Sequence, residues 1–138
     1  MMSTKETKEY FDLHTQGIGY LSRIREVAPK EGSPFLSATV AALRGRVDNA
    51  QYTHFECRVS GQKTQELVRQ LMPAVEGNLK VLIGFTLSDL YAETFTFQNG
   101  DRAGETGIRL KARLLGMAWA RVEGQPFYSA KAEKADAA

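Results

Sequence analysis

The chain has 138 residues, 43% of them apolar and 25% charged, with a formal net charge of +2 from 18 basic and 16 acidic side chains. That balance fits one soluble globular domain and excludes a wholly disordered chain, a collagen-like repeat and a bundle of membrane helices. No apolar stretch approaches the ~20 residues of a membrane span or makes a secretory leader, and one cysteine permits no internal disulfide, so a reducing cytoplasm is the expected compartment.

Residues 1–16 are polar and charged and read as an N-terminal arm, on which Tyr10, Phe11 and Leu13 are the side chains able to dock. Residues 17–128 read as one domain, without internal repeat or linker. A first strand is expected over 18–27, twisted or bulged around Gly17 and Gly19. A turn rich in Pro and Gly follows, then a second strand over 35–43, small and apolar on one side. Residues 52–59 alternate strictly, with Phe55, Cys57 and Val59 facing one way and His54, Glu56 and Arg58 the other. After Ser60-Gly61 the period changes: Leu67, Leu71 and Val75 recur every four residues, so 62–75 is an amphipathic helix. Gly77-Asn78 supplies its stop, and Pro73 is expected to end or distort its final turn.

A fourth strand runs over 80–97 with a break at Ser88-Asp89. The glycine-rich segment 98–107 is a long hairpin loop. The fifth strand, 108–115, sets Ile108, Leu110, Ala112 and Leu114 on one face and Arg109, Lys111 and Arg113 on the other, and Gly116 marks a bend before 117–122. Residues 129–138 carry no aromatic or large aliphatic side chain and read as a flexible tail. The expected fold is therefore all-β with one helix: a five-stranded OB-fold Greek-key barrel, its helix between strands three and four.

Residues 53–61, the helix, and Lys80-Val81-Leu82-Ile83-Gly84-Phe85 look like the middle of bacterial single-stranded-DNA-binding proteins. The wider chain is more specifically similar to another family, small replication-associated proteins of integrative conjugative elements that carry a domain of unknown function. Tyr10-Phe11-Asp12-Leu13-His14, Gly17-Ile18-Gly19-Tyr20-Leu21, Val40-Ala41-Ala42-Leu43-Arg44-Gly45 and Leu90-Tyr91-Ala92-Glu93-Thr94-Phe95 carry that resemblance. It implies an OB fold, a role in replication or maintenance of a mobile element, single-stranded nucleic acid as ligand, and replication proteins of the element as further partners. Against the single-strand binders, His54 and Ser60 fall at two base-stacking positions. Their acidic, phenylalanine-ended recruiting tail has no counterpart here.

A strand ligand needs cations for its phosphates and flat side chains for its bases. The expected binding face is the outside of strands two to five with the loop at 98–107. Arg58, Arg109, Lys111 and Arg113 supply its cations, Arg44 and Arg46 flank it after strand two, and Arg102 lies in the loop. Tyr52, His54, Tyr91, Phe95 and Phe97 are the flat candidates, although Phe95 and Phe97 equally fit a core or subunit contact. The bland reading of the arginine stripe is the solvated side of a half-buried strand.

Catalytic patterns such as Gly-x-x-x-x-Gly-Lys, His-Glu-x-x-His and Gly-x-Ser-x-Gly do not occur, so no enzyme is expected. His54 and Cys57 point to opposite faces of one strand, so neither metal nor other cofactor is expected. Trp119 reads as core or subunit interface, and an exposed strand edge favours a homo-oligomer. A protein-interaction module on the same fold, binding no nucleic acid, is the alternative that the near-neutral charge and sparse stacking residues favour.

Overall fold

The computed structural model describes residues 9–131; the parts of the expected arm and tail at 1–8 and 132–138 lie outside them. The strands are β1 (His14–Val27), β2 (Phe35–Arg44), β3 (Gln51–Val59), β4 (Val81–Thr96), β5 (Thr106–Val122) and β6 (Gln125–Ser129), and α1 (Gln62–Glu76) is the α-helix between β3 and β4. A 3-10 turn at Val47–Asn49 links β2 to β3.

Five of these strands close a barrel. β1 pairs antiparallel with β2 along one part of its length and with β4 along another, β2 pairs with β3, and β4 with β5. A parallel pairing of β3 with β5, from Phe55 against Leu110 to Val59 against Leu114, shuts the barrel. The helix lies between β3 and β4 in the chain, so the topology is the OB-fold order expected from the alternation and the four-residue period.

Alternation decides which side chains fill the interior. Leu36, Val40, Cys57, Val81, Ile83, Leu87 and Leu114 are fully buried, joined by Val68 and Leu71 of α1, which caps the barrel. The Thr64 hydroxyl fixes α1 to β5 by donating to the Leu115 carbonyl at 2.7 Å. Helix α1 runs through Pro73 to Glu76 rather than stopping at the proline. Its last turn survives because the chain beyond Pro73 still closes hydrogen bonds. Gly77 N–H donates to Pro73 O at 2.9 Å, Asn78 N–H to Val75 O at 3.0 Å and Leu79 N–H to Ala74 O at 2.9 Å. Asn78 is left-handed at φ 63°, so the helix ends in a Schellman motif with asparagine in the usual glycine place.

Other boundaries differ from the sequence expectation for physical reasons. β1 begins at His14, because His14–Gln16 continue the ladder with Ser88–Thr86. Its bulge lies between Ser22 and Arg25, with Arg23 left-handed at φ 48°, and not at Gly17 or Gly19. Those glycines instead allow close packing: a Cβ on Gly17 would meet the Phe85 ring at 3.1 Å. β5 passes through Gly116 without ending, its bend taken up by register shifts against Phe85–Leu87. A sixth strand, absent from the sequence reading, turns back at Glu123-Gly124 and pairs with β5 from Val122 to Trp119. The break at Ser88-Asp89 is present, with Asp89 left-handed at φ 56° where the β4–β5 register shifts.

Candidate functional site

Beyond that shift β4 still pairs with the seam residues Lys111 and Leu110 of β5, and past them the two strands leave the barrel as an arm, pairing from Glu93 against Arg109 to Thr96 against Thr106. Ile108, expected on the core face, is 71% exposed because it lies on this arm, where there is no core to enter. Between the arm and the β1–β2 end of the barrel lies a groove of about 420 Å³. Val27 and Phe35, flanking the β1–β2 loop, line one side, and Tyr91, Arg109 and Lys111 line the other.

Alternation on three strands delivers the cations. Arg58 comes from the outer face of β3, Arg109, Lys111 and Arg113 from that of β5, and Arg25 from β1 just past its bulge. Each is held by a neighbour. Arg25 Nη2 lies 2.8 Å from Glu56 Oε1, Lys111 Nζ 3.5 Å from Glu93 Oε2, and Arg113 Nε 3.6 Å from Asp89 Oδ2. Arg58 sits 4.3 Å over the Phe35 ring and Arg109 4.2 Å over the Phe95 ring. Five cations and two carboxylates, Glu56 and Asp89, line the groove, so its field favours an anion.

The arm continues that surface. Phe95 and Phe97 pack with centroids 4.8 Å apart, Arg109 over the first and Arg102 4.3 Å over the second. The rings fold over Gly107, where a Cβ would meet Phe95 Cζ at 2.6 Å. They are half-buried against each other and their arginines, outside the barrel core.

Of the residues singled out in the sequence, Arg58, Tyr91, Arg109, Lys111 and Arg113 converge in the groove. Phe95, Phe97 and Arg102 extend it along the arm. Tyr52 and His54 lie apart, in a strip with Tyr20 whose neighbouring rings are 6.4 Å from centroid to centroid. Arg44 Nε donates to Thr53 Oγ1 at 2.8 Å, and Arg46 is paired with Asp48 at 3.0 Å, both away from the groove. Trp119 lies half-buried across Gly84, with Arg121 5.0 Å over its ring. Phe35 and Arg25 were missed. Alternation places Phe35 opposite the buried Leu36, but its stacking with Arg58 is a contact between strands that no local spacing records.

Two neighbouring groups of β3 are shifted from their ordinary range, Cys57 inside the barrel and Glu56 on the groove side. Burial pushes the Cys57 thiol up to about 12, with the Glu56 charge adding to the effect, so it is un-ionised and inert at neutral pH. Burial also pushes the Glu56 carboxyl up, but hydrogen bonds from Arg25 and Thr39 and the charges of Arg25 and Arg23 outweigh it, and the net shift is downward. A depressed carboxylate contributes stability above its unfolded pKa, and the contribution is lost as pH falls through the folded value. Glu56→Gln is therefore expected to cost about 1–2 kcal/mol at pH 7 in urea unfolding. The gap from wild type should close as pH drops below the carboxylate range. A gap independent of pH would mean that the charge on Glu56 does not hold Arg25.

A closed five-stranded barrel capped by one helix, with a cation-lined groove between its β1–β2 loop and its β4–β5 arm, defines a protein of OB-type architecture. Within that class, the chain belongs to the family described as protein of unknown function (DUF3577), whose model matches residues 4–136. No curated protein and no solved structure matches it.

Proposed function

We propose that this protein binds single-stranded DNA in the groove between the β1–β2 loop and the β4–β5 arm, without catalysing a reaction. The observation that carries the reading is the convergence of Arg25, Arg58, Arg109, Lys111 and Arg113 on one groove with Phe35 and Tyr91. Phosphates need the cations and unpaired bases need the rings, and OB folds use this side of the barrel for oligonucleotides. The carboxylates that hold the cations in place are partners that phosphates can displace. The resemblance to replication-associated proteins of integrative conjugative elements supports a role in replication or maintenance of such an element, in the cytoplasm. On the same reading the protein works as a homo-oligomer alongside replication proteins of the element.

The test is an anisotropy titration with a labelled oligonucleotide across a salt series. With about four phosphates contacted, raising salt fourfold should weaken single-strand binding roughly 50-fold, from a slope near −0.7 per phosphate. Duplex of the same length should bind more weakly, because its bases are already paired and stacked. Equal affinity for both at every salt concentration, or no binding at low salt, would overturn the proposal.

A further inference from the structure

Two large aromatic side chains stand bare just ahead of β1: Tyr10 is 81% and Phe11 97% exposed. The chain is fastened immediately after them. The Asp89 backbone N–H donates to Leu13 O at 3.0 Å, and His14 then opens the ladder with Ser88. Asp89 is itself a wall of the groove and pairs there with Arg113. Two extended residues span about 7 Å, so Phe11 is tethered about that far from Leu13, with Tyr10 next. Running backward from His14, the antiparallel ladder points along β4 toward Tyr91, which is 55% exposed. β1 stops pairing with β4 at Ser88 while β4 continues to Thr96, so among the described residues no strand occupies this edge of the arm.

We infer that Tyr10 and Phe11 form an aromatic strap that stacks on bases of a single strand lying in the groove, a deepening that rests on the reading above. Rings tethered through Leu13 to Asp89, the partner of Arg113, suit a ligand that alternates phosphates with flat apolar faces. An apolar peptide would bring no anion to compete with Glu93 and Asp89 for Lys111 and Arg113. Leu13 anchors the strap at the left-handed Asp89, next to the cations that hold the phosphates.

Tyr10→Ala with Phe11→Ala removes only exposed rings, so the melting point should stay that of the wild type. Anisotropy with a labelled oligo(dT) of about 12 nucleotides should show at least a 10-fold loss of affinity. The salt slope should stay unchanged, because no phosphate contact is removed. Adding oligo(dT) to the wild type should also slow hydrogen exchange of the amides at 9–13. Equal affinity of variant and wild type, with the wild type binding normally, would overturn the strap and leave the groove reading intact. A variant that loses self-association but binds oligo(dT) unchanged would also overturn it, since the rings then serve a second copy of the chain. A wild type that neither binds oligo(dT) nor protects those amides would overturn the strap together with the groove reading.

Discussion

Gly19→Val is expected to break the barrel where β1 changes partners. Gly19 pairs with Ile83 of β4 and with Ala42 of β2, so it belongs to two ladders at once. A Cβ there would stand 2.5 Å from the Ala41 carbonyl oxygen and 2.8 Å from the Ala42 Cα. Both are backbone atoms held in the β1–β2 and β2–β3 ladders, so neither can rotate aside as a side chain would. Relief requires β2 to move away from β1, which opens the interior around Leu21 and Val40. The cost should be about 3 kcal/mol or more, at the upper end for overpacking, read as a lowered urea midpoint or as failure to fold. Gly116→Ala is the control: nothing lies within 4 Å of where its methyl would stand, and its backbone is not left-handed. It should shift the midpoint little, and equal midpoints for the two variants would show that β1 and β2 do not approach so closely.

The second large effect is on binding. Arg109, Lys111 and Arg113 project at alternate positions of β5, about 7 Å apart along the strand. Arg109→Gln with Lys111→Gln removes two phosphate partners, so the salt slope should become shallower by about 1.4. Extrapolated over the decade between 1 M and 0.1 M salt, that slope change corresponds to an affinity loss of about 25-fold at 0.1 M. Stability should change little, since exposed ion pairs such as Lys111–Glu93 contribute little. Lys80→Gln with Arg121→Gln removes equal charge at a separate cavity of about 280 Å³ beside Tyr20. Equal losses from both double variants would mean that net charge, rather than the groove, attracts the strand.

Much of this architecture was legible because burial writes period two and period four into the chain. The faces of β3 are as the alternation of Phe55, Cys57 and Val59 required, and α1 buries Leu67 and Leu71. The break in β4 was legible from Ser88-Asp89, since aspartate tolerates a left-handed backbone. β6 was not, because an edge strand of five residues that stays mostly exposed has no apolar alternation to display. Its one local signal was Glu123-Gly124, both at positive φ (50° and 81°), the geometry of a tight hairpin. The exposure of Ile108 was hidden because alternation specifies a face and not how far a strand outruns its barrel. The stripe on β5 could be read from spacing alone. The pairing of Arg58 with Phe35, and of Arg25 with Glu56, arises between strands remote in sequence.

The parallel seam between β3 and β5 also sets an order of events for the growing chain. Phe55 cannot meet Leu110 until the helix, β4 and the whole arm have been made. Until then β3 has β2 on one edge and nothing on the other, and Phe55, Cys57 and Val59 lack the wall that Ala112 and Leu114 provide. Closing so long a loop has an entropic cost before any contact rewards it, so closure is a late and slow step of folding. A nascent chain halted in the arm leaves the β3 edge open and the Cys57 thiol without its β5 wall, so it is more open to aggregation and oxidation than the closed barrel.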